Sequence, residues 1–135
     1  DIMAKYKYIK EFEIKASVNL LFPYVSSAAG LQEWFADQVN IIGDKLLDIV
    51  WDGESHPAKI ISKRINHHIK FQFVPIENVE DTDYQTLEFK IDYNEMTDSS
   101  FLRISDYSEM DNDEDLDDLW GGLIESLKEC LGSRG

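Results

Sequence analysis

The chain has 135 residues, of which 43% are hydrophobic and 12% aromatic, which is enough for one compact core and too little for two ordinary domains. Thirteen Lys and Arg against 27 Asp and Glu give a formal net charge of −14, a field that repels phosphate backbones and anionic membrane surfaces and so excludes nucleic acid as a partner. No apolar run approaches the roughly 18 residues of a membrane span, no charged n-region leads into an apolar h-region, and Cys130 is the only cysteine. The expectation is one domain over residues 1–135, in the cytoplasm, without a disulfide. Asp1 and Ile2 precede the first methionine and carry no weight as a remnant of expression.

In chain order, "KYKYIKEFEIKAS" alternates in period two, with Tyr6, Tyr8, Phe12 and Ile14 on one side and Lys7, Glu11, Glu13 and Lys15 on the other. It predicts a long first strand. Ser17 is placed to cap a short helix in which Val18, Leu21, Phe22 and Val25 fall at i, i+3, i+4 and i+7, with Pro23 kinking or starting it. After a break at Gly30, "LQEWFAD" sets Leu31, Trp34 and Phe35 on one face of a second short helix. From Val39 the period returns to two, with breaks at Gly43-Asp44, Asp52-Gly53-Glu54 and Asn66-His67, a longer loop from Pro75 to Asp83, and a last break from Asn94-Glu95 to Asp98. Six short strands follow from these breaks. "IKFQFV" and "LEFKID" alternate most cleanly, as strands with one buried and one wet face do in an antiparallel sheet.

The final segment, "MDNDEDLDDLWGGLIESLKECLG", starts acidic and ends apolar. Leu116, Leu119, Trp120, Leu123, Leu127, Cys130 and Leu131 form one helical stripe, and Gly132 is a natural stop. Gly121 and Gly122 lie nearer the wet face. They are either tolerated there or soften the helix so that its first turns can lift and admit a ligand. The order β-α-α-β-β-β-β-β-β-α makes the chain α+β, a seven-stranded antiparallel sheet whose apolar face one long helix must cover.

That order resembles the helix-grip fold of the START and Bet v 1-like superfamily, and especially small bacterial members related to the Hsp90-activator homology group. "ASVNLLFPYVSSAAGLQEWFAD" looks like that group's strand end, apolar-aromatic helix, short second helix and Trp-Phe close. "LWGGLIESLKECLG" looks like its C-terminal helix, in which a Trp precedes regularly spaced leucines. The resemblance implies a curved sheet wrapped around the last helix with a hydrophobic cavity between them. It also implies three classes of function, namely carriers of small apolar molecules, co-chaperone modules and ring-forming enzymes.

The residues narrow this further. An EF-hand loop beginning at Asp111 would put Leu116 where glycine is required and Gly122 where a bidentate glutamate is required, so the carboxylates read as helix start and solubility. His67 and His68 point to opposite faces of a strand, and His56 lies in a different turn beside Pro57. No metal and no cofactor are expected, and no nucleophile, P-loop or dinucleotide motif is present. Arg103 and Tyr107 take the parity opposite to Leu102 and Ile104 and are expected to face solvent unless a bulge intervenes.

What remains is an inner aromatic and leucine set, Trp34, Phe35, Trp51, Phe71, Phe73, Phe89, Trp120, Leu123 and Leu127. It is either packed core or the lining of a ligand cavity. The expected function is binding of a small apolar ligand, lipid-like or aromatic, without catalysis. A protein-interaction module meeting a protein partner is the alternative, and a cyclase or hydratase would need an acid-base pair inside the cavity.

Overall fold

In the computed structural model, which describes residues 5–74, 84–109 and 112–132, the first alternating stretch forms β1 (Tyr6–Ile14) and buries Tyr8 and Ile14. Ser17 then caps α1 (Val18–Ser26), its Oγ accepting from the Leu20 N–H at 3.3 Å. Pro23 lies inside α1 and does not start it. Ser27 ends α1 and begins α2 (Ala28–Trp34), because its N–H and hydroxyl both donate to the Pro23 carbonyl while its Oγ accepts from the Gly30 N–H. The predicted break at Gly30 is therefore corrected. One serine supplies both caps, and Gly30 sits within α2 for a reason of packing, since a Cβ there would stand 2.1 Å from the Pro23 carbonyl oxygen and 2.6 Å from Tyr24 Cα.

Six strands follow as predicted, β2 (Gln38–Gly43), β3 (Leu46–Trp51), β4 (Glu54–Arg64), β5 (His68–Phe73), β6 (Thr86–Asn94) and β7 (Ser99–Ser108). The Asp52-Gly53 turn between β3 and β4 has positive φ at both residues, 51° and 78°, the combination that a two-residue type I′ hairpin demands. The expected loop from Pro75 to Asp83 lies outside the described residues. All pairings are antiparallel in the order β1-β7-β6-β5-β4-β3-β2, a meander in which β1 returns beside β7. Register shifts in β2 between Ile41 and Gly43 and in β4 between Ile60 and Ser62 mark bulges, which bend a strand and raise its local twist. No register shift interrupts β7, so Arg103 keeps its outward parity and reaches Glu11 at 4.0 Å.

The last helix, α3 (Asp113–Gly132), packs its buried stripe into one core with the inward residues of this sheet, as the helix-grip arrangement requires. Asn112 caps it through Oδ1, accepting from Glu114 and Asp115 N–H, and Asp113, Glu114 and Asp115 fill its first turn. Carboxylates there complement the helix dipole. Its start is fastened to β1, with Tyr6 Oη donating to Asp113 at 2.6 Å, Tyr8 Oη donating to Asp117, and Lys10 Nζ 3.2 Å from the same carboxylate. Hydrogen bonding to Tyr8 and Lys10 lowers the Asp117 pKa. The buried stripe is Leu116, Trp120, Ile124 and Leu127. Leu119, expected in it, is 45% exposed, and Ile124 takes the buried flank instead. Nothing lies within 4 Å of a Cβ built at Gly121 or Gly122. The Gly121→Ala, Gly122→Ala double variant is accordingly expected to gain up to about 2 kcal/mol in urea melts; a loss would show that the pair is required rather than tolerated.

Candidate functional site

Between α3 and the sheet a cleft of about 960 Å³ opens to solvent. The C-terminal end of α2 and the residues after it supply Glu33, Trp34, Phe35 and Asp37, the β3–β4 hairpin supplies Trp51, Asp52 and His56, and the facing ends of β5 and β6 supply Phe73, Val74 and Leu87. Asp106, Ser108 and Glu109 come from the end of β7, and Leu116, Leu119, Trp120 and Leu123 from α3. Six of the nine residues singled out from the sequence, Trp34, Phe35, Trp51, Phe73, Trp120 and Leu123, thus line the cleft. Phe71, Phe89 and Leu127 are fully buried behind it.

Phe35 is the centre of the aromatic wall. Its ring stacks on Trp120 at 5.8 Å between centroids, meets Trp51 edge-on at 5.0 Å, and lies 5.4 Å from Trp34. Phe89 supports the group from below, edge-on to Trp34, Phe35 and Trp120. Such offset and edge-to-face contacts are the favoured geometries of aromatic rings, and they fix the orientation of the wall. Every indole N–H is bonded within the protein. Trp34 Nε1 donates to the Tyr24 carbonyl at 2.8 Å, Trp51 Nε1 to the Phe35 carbonyl at 2.6 Å, and Trp120 Nε1 to Asp106 Oδ2 at 3.0 Å. A molecule in the cleft therefore meets aromatic carbon rather than free indole donors.

Two polar groups in this wall were not anticipated. Asp106 shares the inward parity of Leu102 and Ile104 on β7. Burial raises its pKa above the usual carboxylate value, against the opposing hydrogen bonds from Trp120 and Ser108. His56, expected in a turn, belongs to β4 and packs edge-on against Trp51 at 5.1 Å between centroids. Its Nδ1 is buried without a hydrogen-bond partner. The periodicity of β7 contains the signal for Asp106, because a carboxylate at an inward position is informative where an inward leucine is not.

Among the described residues no group of three or more His, Cys, Asp or Glu is arranged to hold a metal ion. His68 is hydrogen-bonded to Ser62, 2.8 Å from Nε2 to Oγ, and Cys130 Sγ donates to the Glu33 carbonyl at 3.6 Å. Asp111, the first position of the EF-hand pattern, lies outside the described residues. No helix among those described is long and apolar enough to cross a membrane.

Comparison with known proteins places this architecture. A family model described as a START-like superfamily domain matches residues 2–133. Among solved structures, the Aha1 dimer from Colwellia psychrerythraea superposes with a TM-score of 0.76 at 17% identity, covering 93% of this chain and 96% of that one. A solution structure from Bacteroides fragilis gives a TM-score of 0.62 at 34% identity, covering 96% and 93%. A crystal structure from Mesorhizobium loti gives 0.76 at 14% identity, covering 96% and 99%. No curated protein matches the chain significantly.

Proposed function

The chain belongs to the START-like superfamily, and from that premise we propose that it is a non-catalytic binding protein which holds a small apolar molecule, aromatic or lipid-like, in the cleft between α3 and the sheet. The observation that carries this reading is the wall of Trp34, Phe35, Trp51 and Trp120, which faces open volume with its indole donors already used. A volume of about 960 Å³ suits a drug-sized or lipid-like occupant, since small-molecule sites run from about 300 to 1,000 Å³. Phe73, Leu116 and Leu123 extend the apolar lining.

The non-catalytic part of the proposal rests on where the polar groups stand. A cyclase or hydratase of this fold needs an acid and a base acting on one bond. His56 is on β4 and Asp106 on β7, three strand spacings apart in the sheet order, or roughly 14 Å along the sheet at about 4.8 Å per strand. Among the described residues neither is hydrogen-bonded to a second acid or base: Asp106 accepts from Trp120, and the buried His56 Nδ1 has no partner. The formal charge of −14 favours a second reading, in which the acidic surface steers association with a basic protein partner.

Native mass spectrometry of the protein purified from its own host tests the proposal. A bound species of a few hundred daltons, lost on denaturation, is the expected result. Protein that runs at its sequence mass while a pull-down retains a stoichiometric protein partner would instead establish the second reading.

A further inference from the structure

The lining of the cleft is lopsided in charge. Glu33, Asp37, Asp52, Asp106 and Glu109 all contribute to it, whereas Lys5 is the one lysine or arginine among its described residues. The three indole N–H groups are spent on protein acceptors, and carboxylates are the largest class among the remaining polar side chains, five of eleven. Aromatic ring faces add to the same sign, since their quadrupole is negative above the ring and attracts cations. An anionic ligand would meet acceptors and like charge here, the kind of mismatch that rejects wrong partners.

We propose that the cleft selects an organic cation, a molecule with an apolar or aromatic body and a protonated amine or quaternary ammonium group held against the ring faces and Asp106. This rests on the binding reading above and assigns it a ligand class. Asp106 is the specificity residue. It stands within the wall, joined to Trp120 by the indole N–H bond, so a cation drawn to its carboxylate lies beside the stacked Trp120–Phe35 pair. Desolvation makes that carboxylate costly to ionise when the cleft is empty, and a bound cation offsets the cost. The rim carboxylates, Asp52 and Glu109 among them, are exposed and act through longer-range attraction.

Three probes with one naphthalene body separate the alternatives, namely 2-naphthylmethylammonium, neutral 2-naphthylmethanol and anionic 2-naphthylacetate, titrated at physiological salt against tryptophan fluorescence. The cation should bind at least tenfold more tightly than the anion, with the alcohol between them. Asp106→Asn should weaken the cation about tenfold and leave the alcohol unchanged, whereas Asp92→Asn, which removes the same charge from an exposed position outside the cleft, should change neither. Equal affinities for the three probes, or a preference for naphthylacetate, overturn the cation inference and leave the binding reading standing. Failure of all three to bind overturns both. The wild-type ranking needs no variant, so it decides the matter even if Asp106→Asn folds poorly.

Discussion

Trp120→Ala is expected to lower the free energy of unfolding by about 3–5 kcal/mol, the range for truncating a buried aromatic side chain. Trp120 is buried on α3, stacks on Phe35, and meets Phe89 edge-on at 6.0 Å. Its loss would leave a void between α3 and the sheet and would also strip Asp106 of its indole donor. Trp120→Phe is the milder truncation. It keeps a ring against Phe35 but removes the N–H together with the second ring of the indole, so the expected loss is smaller than for alanine, about 1.5–3 kcal/mol. Urea melts of both variants measure this directly. A loss under 1 kcal/mol for the alanine variant would mean that α3 is not anchored through this residue.

Gly30→Ala should cost about 3 kcal/mol, the upper part of the usual range for inserting a methyl group into packed structure. The methyl would stand 2.1 Å from the Pro23 carbonyl oxygen and 2.8 Å from its carbonyl carbon, both backbone atoms of α1 that no rotamer change can move. Relief requires α1 and α2 to separate. Ser27 bonds to that same carbonyl with both N–H and hydroxyl, so separation also disturbs the shared cap. An alanine variant that melts at the wild-type urea concentration would show that the α1–α2 junction has slack.

The contrast between Gly30 and the strands explains how far the sequence could be read. Alternation in Ile69, Phe71 and Phe73 and in Leu87, Phe89 and Ile91 reports a local period, and the pairing of β5 with β6 places these residues on one face as the pattern requires. The Asp52-Gly53 turn is equally local. Gly30 instead reflects a contact with a neighbouring helix seven residues back, and a single glycine in a sequence does not distinguish a helix break from a close approach. Placing Leu119 in the α3 stripe without Ile124 failed for a related reason. They sit on opposite flanks of the α3 stripe, and the flank of Leu119 and Leu123 borders the open cleft while that of Ile124 is closed by the core. Helical period alone cannot tell which flank is left uncovered. The aromatic and leucine set was legible as inward, and six of its nine members line the cleft; Asp106 was legible in the parity of β7, but bringing it to the same cleft as His56 required the sheet order.

The most direct test of ligand binding in the cleft follows the tryptophan side chains, because all three belong to its wall. Titration of ¹⁵N-labelled protein with 2-naphthylmethanol should shift the indole N–H resonances of Trp51 and Trp120 together, along one binding curve, through altered contacts with Phe35 and Asp106. The outer face of the sheet carries a smaller, polar groove lined by Lys70, Glu88 and Tyr107, whose backbone amides should stay in place. Shifts confined to those outer-face amides, with the indole signals unmoved, would contradict the account.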